Sequence, residues 1–385
     1  MAFWSGLSLA VGAVALAAAA GRGAAPHVRL SLYVGTYTDG DSRGIYLIDL
    51  DLASSSFSAP RLVAEAVNPT FLAWHPSLPV LFSVSETDTV GPDRAGAVLS
   101  YRVGSDGGLT PLGQASTGGA GACQLSLDAA GTYALVANYG AGSVAVLGVD
   151  ADGRVVEPAR VYPHTGRGPH PTRQTRPHAH AIQVAPGGRF VLAADLGTDA
   201  LMVYRWDPHA GRLTPHEPAV VKGRPGAGPR HVAFHPDGQT AFVVNELNST
   251  VTTYAWDGEH GTLRAVSEAS TLPSGWTGEN TTAEVEVHPS GRFVYASNRG
   301  HDSIAIFAVQ ADRSLVPIGI HPTGGRTPRH FALDPTGAFL LVANQESDTI
   351  ALVRVDANSG ALTDTGARAS VPAPVFVGFR PSPIR

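Results

Sequence analysis

Two charges stand at the ends of a strand pair that is otherwise fit for burial. In "GAGPRHVAFHPDGQTAFVVNELNSTV", Arg230 opens the first apolar strand and Glu246 closes the second. An unpaired charge in a low-dielectric wall is costly, whereas paired charges in a wet pocket can bind an anion or shift protons. The same pattern recurs along the chain, and aligning the copies on the turn residue gives two columns of equivalent positions. The column of Arg230 holds Thr70, Cys123, His180, Arg230, Ala283, Arg329 and Val375. The column of Glu246 holds Tyr37, Glu86, Tyr139, Leu196, Glu246, Arg299 and Gln345. Scaffold positions stay apolar from copy to copy while these columns vary, and a packing role would favour similar residues in each copy. His180, Glu246, Arg299 and Arg329 thus gather ionisable groups from neighbouring copies. The bland alternative is a structural Arg230–Glu246 ion pair, since ion-pair networks also arise for structural reasons.

The elements that must position these groups are short strands. Related copies read "ACQLSLDAAGTYALVANYGAGSVAVLGV", "HAHAIQVAPGGRFVLAADLGTDALMVYRW", "TTAEVEVHPSGRFVYASNRGHDSIAIFAV" and "TPRHFALDPTGAFLLVANQESDTIALVRV", with a looser one at "PTFLAWHPSLPVLFSVSE". Each is strand, turn, strand, polar loop, strand, with the alternation of β-branched and apolar residues that strands show. The P-x-G turn has a physical reason: proline presets φ and glycine tolerates a positive φ. Repeats of this length belong to propellers or solenoids. There are six full copies, and the ends supply the halves of another: "APVFVGFRP" is a first strand without a second, and "LSLYVGTYTDGDSRGIYLIDLD" holds later strands without a first. The expectation is an all-β, seven-bladed β-propeller over residues 28–385, closed by pairing "VFVGF" with "LYVGT", which leaves no long open edge. In a propeller the first strand of each blade lines the central channel, so both columns should converge on a wet channel mouth.

Bulk properties agree with many short elements. The 385 residues are 43% apolar and 15% charged, with 44 glycines and 29 prolines. A net charge of −5 implies no nucleic-acid footprint. A single cysteine, Cys123, rules out an internal disulfide framework and any multi-cysteine metal site. Residues 1–27 begin with an apolar run ending in small residues, which fits a signal peptide or leader and hence export, although its start carries no Lys or Arg. No later segment is apolar enough to span a bilayer. If the leader is a signal peptide the protein is secreted or periplasmic; otherwise it is cytoplasmic.

"RQTRPHAHAI", "GPRHVAFHPDGQTAFVVNELNSTV", "AEVEVHPSGRFVYASNRG" and "TPRHFALDPTGAFLLVANQ" closely resemble the lactonase family of seven-bladed propellers, which includes propeller-type 6-phosphogluconolactonases and carboxymuconate cyclases. The likeness runs from "LYVGTYT" to "FVGFRP". It implies hydrolysis of a sugar lactone or the reverse ring closure, on a His, an Arg, a Glu and a second Arg that fall on His180, Arg230, Glu246 and Arg299. It implies no metal and no cofactor. Those types suit the chemistry: Glu246 or His180 as general base through a water, and arginines for the oxyanion and for an anionic substrate. Arg329, Gln345, Glu86, Tyr139, His178 and Glu284 are candidates for substrate contact. His178 and His180, two apart, could instead share a metal with Glu284 or Glu286. His231 and His330, each following an Arg, are expected to point away from it and to make hydrogen bonds between blades, Cys123 is expected to be a small wall residue, and Asn248 heads a weak glycosylation sequon. No G-x-S-x-G elbow is present, which disfavours a covalent serine hydrolase. A non-catalytic binding propeller is the competing reading, because the fold hosts both.

Overall fold

The computed structural model describes residues 29–91 and 94–380. The expected leader at residues 1–27 lies outside the described residues. Apart from two short 3-10 turns, Leu196–Thr198 and Gln345–Ser347, the described elements are β-strands. They form seven antiparallel sheets, each a blade. In blades 2 to 7 the first strands are Leu72–Trp74, Ala122–Leu127, Ala179–Val184, Pro229–Phe234, Thr281–Val287 and Pro328–Leu333, and first strands of neighbouring blades pack against each other around the ring. Blade 1 takes its first strand from the C-terminus. Pro374–Phe379 pairs antiparallel with Arg29–Thr36, placing Val377 opposite Val34. The half-repeats at the two ends complete one blade, as the sequence leads one to expect.

The core is divided among the blade boundaries. Phe82 and Val136 meet between blades 2 and 3, Phe242 and Phe307 between blades 5 and 6, and Leu32, Leu341 and Val377 between blades 7 and 1. The three phenylalanines are fully buried, so cutting one back to alanine costs about 3–5 kcal/mol. Polar links reinforce the boundaries at the turn end. The histidine before the turn proline reaches into the next blade: His235 Nε2 lies 2.9 Å from the Gly291 carbonyl and His288 Nε2 lies 3.1 Å from that of Gly337. Both glycines have positive φ, 73° and 75°. A Cβ on either would come within 2.5 Å of the imidazole, so only glycine lets the ring close in.

At the other end of the first strands the ladder skips a residue. Pairing runs from Pro229↔Asn245 to His231↔Val244, from Ala179↔Asp195 to Ala181↔Ala194, and from Pro328↔Asn344 to His330↔Ala343. The skipped residues are Arg230, His180 and Arg329. Cys123 and Val375 are skipped in the same way. A bulge adds one residue to a strand and re-aims its side chain. That is why successive residues, Arg230 with His231 and Arg329 with His330, can line the same chamber.

Candidate active site

Glu246 follows the second strand of blade 5, Thr240–Asn245, and is buried. Three guanidiniums converge on its carboxylate. Arg173 Nη2 is 2.5 Å from Oε1, while Arg230 Nε and Arg299 Nη2 are 3.1 and 3.0 Å from Oε2. Each arginine also has a second hydrogen-bond partner. Arg173 Nη2 donates to the Tyr139 hydroxyl at 3.2 Å, Arg230 Nη1 to the Ala283 carbonyl at 2.6 Å, and Arg299 Nη2 to the Thr282 carbonyl at 2.8 Å. The side chains of Arg173, Arg299 and Arg230 are 37%, 12% and 4% exposed, so the cluster is graded from mouth to floor.

The electrostatics follow from this crowding. Burial opposes ionisation of Glu246, but Arg299, Arg230 and Arg173 outweigh it and hold the pKa down at about 2. Burial, only partly countered by Glu246, lowers Arg299 to about 10, and Arg230 and Arg329 push it the same way. Arg230 is lowered by burial and by Arg329. One carboxylate is thus shared by cations that repel one another, a setting in which an incoming anion finds preformed donors.

Arg329 stands beside this group on a second chain of contacts. Its Nη2 donates to the Tyr37 hydroxyl at 3.0 Å, and its guanidinium lies 5.2 Å from the centroid of the Tyr37 ring. The hydroxyls of Tyr37 and Thr70 donate to Glu86 Oε2 at 3.1 and 2.6 Å. Between Arg329, Arg230, Glu86, Cys123 and His180 lies a narrow chamber with room for little more than a water molecule. His180 is buried there, with Cys123 Sγ 3.8 Å from its Nδ1 and the rings of Tyr139 and His231 each 5.3 Å away. Burial first, then Arg230, His231 and Arg329, keep its pKa well below the usual imidazole value, so it is neutral near pH 7. Cys123 is a buried thiol whose pKa burial pushes up, an inert wall residue as expected.

A second polar layer lies one residue further along the first strands. Glu284 Oε2 is 2.9 Å from His231 Nδ1 and 3.3 Å from His330 Nε2, linking blades 5, 6 and 7. Burial opposes the charge on Glu284, yet the two histidines hold its pKa at about 2. His231 and His330 make the inter-blade hydrogen bonds expected of them, to Glu284 and from the Val377 amide of blade 1, but they do not point away from the preceding arginines: both line the chamber with them, and His231 Nε2 is 3.4 Å from Arg230 Nη1. Glu286, two residues on, accepts from the Leu333 amide at 2.7 Å and is raised by burial to about 8.

The structure brings His180, Arg230, Glu246, Arg299, Arg329, Glu86 and Tyr139 around one mouth and chamber. His178 lies beside Tyr139, stacked at 4.4 Å, with Nδ1 3.0 Å from the Tyr139 carbonyl. Gln345 sits in the 3-10 turn of blade 7 with its Oε1 buried and without a hydrogen-bond partner. Glu284 is engaged by two histidines in the deeper layer. Among the described residues no three His, Cys, Asp or Glu side chains converge as a metal site. The expectation of a wet channel is corrected for its deepest groups: His180, Arg230 and Glu246 are each 5% exposed or less, while Tyr37, Glu86, Tyr139, Arg299, Arg329 and Gln345 are half-buried. The residue that column reasoning misses is Arg173. It lies in the connection between blades 3 and 4, outside the repeat, and its only sequence signal is the basic run "RQTRPHAH". The amide nitrogen of Asn248, the atom a glycan would join, is buried.

The lactonase, 7-bladed beta-propeller family model matches residues 31–379. The 6-phosphogluconolactonase of Bacillus subtilis strain 168 is 38% identical over 349 residues, spanning 90% of this chain and 97% of the relative. The solved periplasmic gluconolactonase of Pseudomonas aeruginosa is 36% identical, with a TM-score of 0.85 over 91% of this chain and 99% of its own. A putative 6-phosphogluconolactonase from Bacteroides fragilis, 32% identical, superposes with the same TM-score of 0.85, over 92% of this chain and 98% of its own. Among the described residues no helix is long and apolar enough to cross a membrane. With its fold, the family model and these relatives in agreement, the chain belongs to the lactonase family of seven-bladed β-propellers.

Proposed function

We propose that this protein hydrolyses a sugar lactone that carries an anionic group, at the arginine cluster around Glu246. The observation that carries the reading is the convergence of Arg173, Arg230 and Arg299 on one buried carboxylate, with Arg329 across the chamber. In this reading Arg173 and Arg299, nearest the mouth, hold the substrate's phosphate or carboxylate. Arg230 and Arg329 stabilise the oxyanion that forms when the lactone carbonyl is attacked. Neutral His180 takes a proton from a water in the chamber, and the hydroxide adds to the carbonyl carbon. Collapse of the adduct breaks the bond to the ring oxygen, which takes the proton back from His180. Glu246 is the fixed counter-ion of the cluster, because both its oxygens are occupied by guanidiniums and its pKa of about 2 makes it a weak base.

Arg299→Ala tests this assignment. It leaves Glu246 two cationic partners, so the fold should survive while kcat/KM falls by about 10²–10³-fold, the usual worth of a well-placed donor. Unchanged kcat/KM in a folded variant would remove the cluster from the reaction.

A second reading has its own support. The apolar leader and the periplasmic gluconolactonase relative favour an exported enzyme acting on an unphosphorylated aldonolactone. The cluster would then serve the oxyanion and the sugar hydroxyls.

A further inference from the structure

The turn between the second and third strands of blade 4 contributes no ionisable side chain to the Glu246 column, where it has Leu196. It nonetheless holds two buried carboxylates, Asp195 and Asp199. Asp199 Oδ1 accepts from Gln174 Nε2 at 2.6 Å and from the Gly228 amide at 2.8 Å, and Oδ2 accepts from the Gly226 amide at 2.7 Å. Gln174 adjoins Arg173, and Gly228 lies just before Pro229 and Arg230. One carboxylate therefore ties together the two segments that deliver arginines to the two oxygens of Glu246.

Asp195 grips the ends of the same connection. His164 Nδ1 is 2.6 Å from Oδ2, and the His178 amide donates to Oδ1 at 3.0 Å. Blades 3, 5, 6 and 7 carry asparagine at this position; Asn138, Asn298 and Asn344 each donate to a threonine carbonyl, of Thr117, Thr271 and Thr323, and Asn245 donates to the Thr250 and Thr252 hydroxyls. Blade 4 departs from the repeat where the longest connection between blades, from Pro163 to Ala179, begins and ends. A carboxylate can accept from donors on both oxygens, which an amide cannot.

We propose that Asp199 is a positioning residue for the arginine cluster, setting Arg173 and Arg230 on either side of Glu246, with Asp195 anchoring the ends of the Arg173 loop. The proposal rests on the reading of that cluster as the lactone site. Asp199→Asn is the informative variant. Asp199 has φ of 53°, a left-handed conformation that asparagine also tolerates, so the change removes the carboxylate without backbone strain.

The expected result is a rise of about tenfold in KM for a phosphorylated sugar lactone, because misplacement of a binding group weakens its grip. Amides of Gly226, Gly228 and the 165–177 loop should exchange hydrogen faster than in the wild type. Combined with Arg173→Ala, the kinetic effects should multiply to less than the product of the single variants, since part of Asp199's effect passes through Arg173. Gln174→Leu removes the Asp199 bond on the Arg173 side, together with the Gln174 bonds to the Leu196 carbonyl and the His170 amide, and leaves the Gly226 and Gly228 bonds in place. It must show the same non-additivity, which keeps the test alive if Asp199→Asn does not fold. Wild-type KM and wild-type exchange in Asp199→Asn, or fully multiplicative effects with Arg173→Ala, would overturn the proposal. If the wild type opens no lactone, the functional reading fails by itself, and amide exchange alone decides whether the brace exists.

Discussion

Glu246 cannot be both a saturated counter-ion and a strong general base. With three arginines on its two oxygens and a pKa of about 2, it remains ionised in neutral solution and has little appetite for a proton. Glu246→Gln should therefore destabilise the protein, by about 3–5 kcal/mol if the buried cations are left uncompensated, and should lower kcat/KM as the arginines lose their common anchor. Thermal melting and initial rates on the same preparation check both effects. Loss of turnover with unchanged melting would return the base role to Glu246. His180 gives the complementary prediction. Its pKa is lowered, so the neutral, proton-accepting form persists to acid pH and is lost only as pH falls through the folded-state value. The acid limb of kcat should thus lie below the ordinary imidazole range, and His180→Asn should reduce kcat by about 10²–10⁴-fold and abolish that limb. A limb that persists in His180→Asn assigns the base elsewhere. Column alignment made the residue types of the site legible. It could not show Arg173, which lies outside the repeat, nor that His180, Arg230 and Glu246 are buried while Arg299 and Arg329 are half-buried, because spacing along a chain carries no information on depth.

The strands themselves were readable from alternation and turn residues, and the split blade from the half-repeats at each end. The bulges were not. A bulge changes which residues face each other across the ladder without changing the spacing from Arg230 to its turn, so alignment on the turn proline passes over it. The Glu284 link between His231 and His330 was legible only in part: inter-blade bonds were expected, but their shared acceptor required the fold to bring three blades together. The closing strand Pro374–Phe379 is the element on which the ring depends, since it supplies the first strand of blade 1 and Val377 to the blade 7–blade 1 core. Deleting residues after Pro372 should expose an unpaired edge along Arg29–Thr36 and abolish cooperative melting. Calorimetry decides it, and a truncated protein that melts like the full chain would contradict the closure.

At the scale of the molecule, a chain with net charge −5 concentrates guanidiniums at one mouth of a closed ring. A cleft of one sign in a low-dielectric wall raises the local concentration of an oppositely charged substrate, and it does so whatever the overall charge. The repeat explains how this is built: seven blades provide equivalent positions, and a few of them are given ionisable side chains while the rest keep the scaffold packed. On the function proposed above, this mouth opens anionic sugar lactones. The most direct test is the initial rate of ring opening by purified, folded protein on 6-phosphogluconolactone, with gluconolactone and a muconolactone alongside. Hydrolysis should run well above the buffer rate and be fastest for the phosphorylated lactone. A protein that melts cooperatively yet leaves every one of these lactones at the buffer rate would contradict it.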